Sequence, residues 1–187
     1  MFYLQDNANL PNFICIQETW IYNNLLPKIP GYENVHTFRT RKKGGRGAIY
    51  VKSNIEFSII EEIIFQDIDI EIAGIVFKSG KDVITLESVY IYIAPNQAVK
   101  IDHLNRLLIN ENTIIVGDLN AKNKLWGSPV NDFRGKLINK FVDDNNMVIL
   151  NNGKGTRLNH NGSLSHLDIA FCSNNLSYKM EFDIIYL

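Results

Sequence analysis

Several residues able to handle a phosphate group stand at the ends of apolar runs in this sequence. In TIIVGDLNAKNKLWGS, residues 113–128, a short apolar run ending at Val116 is followed by Gly117, Asp118 and Asn120. A run of that kind reads as a buried strand. Alternate residues of an extended chain point the same way, so the Asp118 carboxylate and the Asn120 amide can face one spot. A carboxylate beside an amide at the C-terminal end of a strand can orient water and bind phosphate oxygens. Gly117 is expected to let the backbone turn sharply before them; the plainer reading is a turn alone, because Asp and Asn form turns anyway. Two further acids occupy comparable places: Glu18 ends the apolar run in IQETW, and Asp168 lies within SHLDIAF. Tyr92 closes a long β-branched and aromatic run just before Ala94-Pro95-Asn96.

Taken in order, IQETW, GRGAIYVKSN, VYIYIAPN, GDLNAKNKLWGS, DFRGKLINKF and SHLDIAF span most of the chain. This ordered set resembles the endonuclease–exonuclease–phosphatase superfamily, whose fold is that of DNase I. Within it the sequence is most similar to the endonuclease domain of non-LTR retrotransposon proteins, and KLWGS after GDLNA favours that branch. The resemblance implies an α/β fold, a DNase I-like four-layer α/β/β/α sandwich of two mostly antiparallel sheets flanked by helices. It also implies a Mg²⁺-dependent endonuclease that nicks DNA by phosphodiester hydrolysis. The nick would prime reverse transcription by a downstream reverse transcriptase domain of the same polyprotein. Two other readings stay open: a non-catalytic remnant with weak DNA binding, or an abasic-site endonuclease or phosphatase of the same superfamily.

The resemblance also distributes roles. Glu18 holds the Mg²⁺ ion, for which Mn²⁺ can substitute. Asp118 orients and deprotonates the attacking water. Asn120 and Tyr92 hydrogen-bond the phosphate, and Asp168 aligns a phosphate-binding histidine. Tyr90 competes with Tyr92, and the spacing to Pro95-Asn96 favours Tyr92. His166 lies inside the SHLD motif and is not the expected histidine; His36, His103 and His160 fit no motif and read as surface or loop residues. The family's first strand with its Asn, and its Ser-Asp-His segment, have no counterpart in the sequence. Residues 1–187 are therefore expected to form a single domain incomplete at both termini, with weak Mg²⁺ affinity and no turnover by itself.

Contacts to DNA have two candidate sources. Arg41, Lys42, Lys43 and Arg46 lie in the most basic, glycine-rich stretch, which reads equally as a solvated hairpin loop or as phosphate contacts. Thr156 and Arg157 correspond to a family position near the DNA backbone. A formal net charge of −1 supplies no overall positive field, so DNA affinity must come from such local patches. The two cysteines, Cys15 and Cys172, sit in apolar runs and read as buried, reduced thiols, which suits the nucleus or the cytoplasm. No apolar run approaches the ~20 residues of a membrane span, and the N-terminus does not read as a signal peptide.

The elements that must position these residues follow from periodicity. Strands are predicted over 13–17, 35–39, 47–52, 55–65, 70–78, 83–93, 114–116, 147–150, 165–172 and 178–186. In 83–93 neither alternating face is purely polar, as in a sheet covered on both sides. Ile101, Leu104, Leu107 and Leu108 predict a helix over 97–110. Phe133, Leu137, Ile138, Phe141 and Val142 predict a second, capped by Asn131 or Asp132. Residues 153–161 read as a polar loop.

Overall fold

A computed structural model of the chain describes residues 10–19, 26–37, 47–61, 65–66, 70–92, 99–108 and 110–185. The basic stretch containing Arg41, Lys42, Lys43 and Arg46 lies outside these residues.

Two main sheets organise the fold. β1 (Phe13–Ile16), β2 (Tyr32–His36) and β3 (Ala48–Lys52) form a three-stranded antiparallel sheet in the order β1-β3-β2. The larger sheet contains β4 (Phe57–Ile59), β5 (Phe65–Gln66), β6 (Ile70–Ser79), β7 (Asp82–Ile91), β8 (Thr113–Asp118), β9 (Met147–Ile149) and β12 (Asp168–Ser173). Its order is β4-β6-β7-β8-β12-β9, with β5 also paired to β6. All its pairings are antiparallel except β7 with β8, which run parallel and are joined through α1 (Ile101–Asn105). A parallel pair needs such a crossover.

The larger sheet is covered on both faces. Val89, Ile91, Ile115 and Phe171 on one face pack with Leu104, Leu107, Ile138, Phe141 and Val142 of α1, its exit and α2 (Phe133–Asp144). Ala73, Ile75 and Leu86 on the other meet Val35, Ile49 and Val51 of the small sheet. The described residues thus supply helix, sheet and sheet of the expected four layers.

Several boundaries differ from the sequence reading. The run 55–65 divides into β4 and β5. The expected strand 165–172 divides into β11 (Leu164–Ser165) and β12, and β11 pairs with β10 (Arg157–Leu158) inside the expected polar loop. No strand forms among the described residues of 178–186; α3 (Asn174–Ser177) is followed there by turn and irregular chain. α1 covers five residues of the predicted helix over 97–110. In α2 the predicted cap is Asp132, whose side chain accepts from the Gly135 amide at 2.6 Å. Of its predicted apolar stripe, Ile138, Phe141 and Val142 are buried and Leu137 is half-buried, whereas Phe133 is exposed and Arg134 is buried beside it.

Candidate active site

The acids converge because three neighbouring strands of the larger sheet deliver their ends to one place. Tyr90 near the end of β7 is paired with Asp118, the last residue of β8, and Asp118 is paired with Asp168, the first residue of β12. Glu18 arrives from the other sheet, two residues beyond β1, and accepts a hydrogen bond from the Tyr90 hydroxyl. Gln17 beside it donates to Ser88 Oγ at 2.8 Å, so successive residues of the β1 exit are tied to alternate residues of β7. Tyr92 is half-buried beside them, its ring centroid 5.9 Å from that of Tyr90. Glu18, Asp118, Asn120, Asp168 and Tyr92 are thus gathered at one end of the sandwich.

Gly117 does not turn the chain there; it lies inside β8, where a Cβ would fall 1.8 Å from the Val89 carbonyl oxygen. β7 and β8 therefore run too close at this point for any side chain. Beyond Asp118 the chain enters a tightly held loop. The Asn120 amide N–H donates to Asp118 Oδ1 at 2.9 Å, and the Asn120 side chain donates to the Ile91 carbonyl at 2.7 Å. Leu119 N donates to the Leu167 carbonyl, Asp132 N to the Lys122 carbonyl, and the buried Trp126 indole to the Ala121 carbonyl. α2 packs directly on this loop: a Cβ on Gly135 would meet Lys122 O at 2.0 Å.

Arg134 is the residue that sequence reasoning missed. It is fully buried, and its Nη1 donates to the carbonyls of Asn120 at 2.8 Å and Leu119 at 3.4 Å. The signal was its place on the helix, since Arg134, Ile138, Phe141 and Val142 share one face at helical spacing. Polarity argued against counting it inward. Tyr90, set aside for Tyr92, is likewise the tyrosine that touches Glu18.

The remaining candidates divide. Asn151 braces Asp168 by donating to its carbonyl at 3.0 Å while accepting from Ala170 N at 2.8 Å. The Thr156 hydroxyl accepts from Asp168 N at 3.3 Å, so it supports the start of β12. Arg157 is exposed and close enough for its charge to act on Asp118. His166 is half-buried, and His160 is exposed as expected. His103 departs from that expectation, being 6% exposed on α1. Burial pushes the Cys15 thiol up to about 12 and raises Cys172, so neither is a thiolate at neutral pH.

Burial raises Asp118 to about 6, opposed by the Asn120 N–H and reinforced by the charges of Asp168 and Glu18. Such a carboxylate is ionised at neutral pH yet basic enough to receive a proton. Among the described residues no three His, Cys, Asp or Glu side chains form a metal-holding group. The donors gathered here, exposed Glu18 with Asp118 and Asp168, are hard carboxylate oxygens, the donor type that a hard cation such as Mg²⁺ takes. A cavity of about 290 Å³ between the sheets, bounded by Cys15, Gln17, Gly117, Asp168 and Phe182, opens beside the acids. A wider groove of about 880 Å³ near Phe57, Val76 and Val83 lies far along β7 and does not reach them.

The endonuclease domain of TRAS1, a telomere-specific non-LTR retrotransposon, superposes with a TM-score of 0.68 at 22% identity, over 88% of this chain and 73% of that one. The AP endonuclease LMAP from Leishmania major gives 0.62 at 15% identity over 91% and 72%. The Xenopus laevis APE2 catalytic domain gives 0.56 at 14% identity over 89% and 75%. At such identities these likenesses establish the fold, which is DNase I-like. No curated protein sequence matches the chain. A family model described as endonuclease-reverse transcriptase matches residues 86–185.

Proposed function

The chain belongs to the endonuclease–reverse transcriptase family, and from that premise we propose that it is a Mg²⁺-dependent endonuclease that nicks DNA. The nick would serve as the primer for a reverse transcriptase domain of the same polyprotein. The observation that carries this reading is the meeting of Asp118, Asp168 and Tyr90 in one register row with Glu18 bonded across the sheet gap.

Hydrolysis of a phosphodiester requires an activated water, neutralised phosphoryl oxygens and help for the leaving oxygen. Asp118 is the base: one oxygen is fixed by the Asn120 N–H, which leaves the other to take the proton from water. Burial, reinforced by the charges of Asp168 and Glu18, keeps it basic enough for that step. Asn120 spends one side-chain N–H on the Ile91 carbonyl and presents the second to a phosphate oxygen. Tyr92 offers its hydroxyl to the same group. Asp168, its backbone held by Asn151 and Thr156, stands next to Asp118, where its carboxylate would align a phosphate-binding histidine. Glu18 would hold the divalent ion. When bound, that ion supplies charge neutralisation at the phosphate and at the leaving oxygen. Arg157, exposed beside the acids, would contact the DNA backbone, with Arg41, Lys42, Lys43 and Arg46 as a second set of cations; Thr156 contributes by bracing Asp168.

Supercoiled plasmid incubated with Mg²⁺ and the chain extended by family-type N- and C-terminal segments tests the reading. The expected result is conversion to the nicked circle, suppressed by EDTA and reduced by on the order of 10²–10⁴ in Asp118→Ala, the usual contribution of a positioned acid or base. Nicking that survives Asp118→Ala would overturn it. Cleavage confined to DNA containing abasic sites would move the protein to the repair branch of the superfamily.

A further inference from the structure

The proposed metal ligand and the proposed base reside on different sheets. Glu18 follows β1 of the small sheet, whereas Asp118 and Asp168 belong to the large one. A catalytic site divided in this way works only if the two sheets hold a fixed register, and the contact that sets this register at Glu18 is the Tyr90 hydroxyl. Tyr90 is 7% exposed and sits on a strand flanked by hydrogen-bonded neighbours on both sides, so its ring is a rigid mount. Glu18 is exposed and has φ of +54°, a backbone conformation that a non-glycine residue holds only when its surroundings impose it.

We propose that Tyr90 is a positioning residue for metal binding. Its hydroxyl captures Glu18 Oε1, fixes the carboxylate rotamer above the Asp118–Asp168 row and leaves the second carboxylate oxygen to meet the ion. Ser88, two residues earlier on the same face of β7, anchors Gln17 and brings Glu18 within reach of the phenol. Without the hydroxyl, Glu18 is a solvated side chain at the end of a small sheet. The ion must then order it at the moment of binding. Outer partners that orient a metal ligand typically contribute 10–100-fold in metal affinity. This inference rests on the assignment of Glu18 as the metal ligand in the reading above.

The test is a Mn²⁺ titration followed by electron paramagnetic resonance, with no DNA present, on the wild type, Glu18→Gln and Tyr90→Phe. Tyr90→Phe keeps the ring and removes the hydroxyl, and its thermal melting checks that the fold is retained. The expected result is Mn²⁺ binding that is lost in Glu18→Gln and weakened about tenfold in Tyr90→Phe, with a melting temperature near that of the wild type. Binding lost in Glu18→Gln but unchanged in Tyr90→Phe overturns the role of Tyr90 and leaves the metal assignment standing. Binding that survives Glu18→Gln overturns the assignment itself and this inference with it. The plasmid assay adds a split that a purely structural role would not give: in Tyr90→Phe the Mg²⁺ concentration for half-maximal nicking rises, while the rate at saturating Mg²⁺ is retained.

Discussion

Replacing Gly117 by Ala tests whether the site depends on the close approach of β7 and β8. The new Cβ would lie 1.8 Å from Val89 O, 2.8 Å from Val89 C and 3.0 Å from Val89 N, all of them backbone atoms. Ordinary contact begins at 3.4 Å, so the strands must part by about 1.6 Å (3.4 − 1.8) at this point. Neither can swing outward, because β7 is held by β6 and β8 by β12. Overpacking of a core usually costs about 1–3 kcal/mol, and a clash with immovable backbone belongs at the upper end or beyond. For a chain of this size each kcal/mol lowers the melting temperature by about 2–4 °C, which gives a fall of roughly 6–12 °C. Asp118 is the next residue, so plasmid nicking should fall to background even below the melting transition. Gly80→Ala is the control. Gly80 also has positive φ, +62°, but its Cβ would meet nothing within 4 Å, so only the conformational cost of about 1 kcal/mol remains. Differential scanning calorimetry and the nicking assay on both variants decide the matter. A Gly117→Ala protein that melts with Gly80→Ala and still nicks DNA would refute the argument.

Two further outcomes follow from buried polar groups. Arg134→Met leaves the Leu119 and Asn120 carbonyls without their donor; the expected result is a loss of about 2 kcal/mol or more and a lower turnover with little change in DNA affinity. Arg134→Lys should recover only part, since a single ammonium does not reproduce the guanidinium fork; equal kinetics for wild type and Arg134→Met would exclude a role in holding the loop. Glu87 is fully buried on β7, neither carboxylate oxygen has a hydrogen-bond partner among the described residues, and burial raises its pKa well above the usual value. A raised acid favours the folded state fully below its unfolded pKa and loses that contribution as pH climbs through the folded value, so Glu87→Gln should gain melting temperature relative to wild type progressively from pH 4 to pH 8. A pH-independent difference would show that Glu87 is solvated or paired.

The parts of the fold legible in the sequence are those set by local chemistry. Thr113–Asp118 alternates buried and half-buried residues and becomes β8, and Asp132 caps α2 as its side chain and position require. The site acids were legible because each ends or begins an apolar run, and strand ends are where the sheets present them. What stayed hidden depends on partners distant in sequence. Glu18 and Tyr90 are 72 residues apart, and no periodicity pairs them. Arg134 looks like a solvent-facing cation on an amphipathic helix until the loop carbonyls beneath it are seen. Residues 178–185 carry the apolar content of a strand, yet among the described residues that segment pairs with none, and Asn152 and Lys154 tether it instead through Phe182 and Asp183. The glycine of GDLN was legible as a special backbone position, but the reason is the neighbouring strand and not a turn.

Backbone strain joins these observations. Among the described non-glycine residues, positive φ occurs at Glu18, Asn120 and Asn146, and two of the three are site residues from different sheets. Asparagine tolerates the left-handed region better than glutamate does, and each still needs its surroundings to hold it there. Asn120 is held on three sides: by Asp118 through its N–H, by Ile91 through its side chain and by Arg134 through its carbonyl. Glu18 is held through Tyr90, with Gln17 fixed to Ser88 just before it. β7 takes part at both places, since Ser88, Tyr90 and Ile91 are its residues. That strand therefore does more than fill the space between the layers. It carries the hydroxyls and the carbonyl that hold the proposed metal ligand and the proposed phosphate ligand in conformations the chain would not adopt alone.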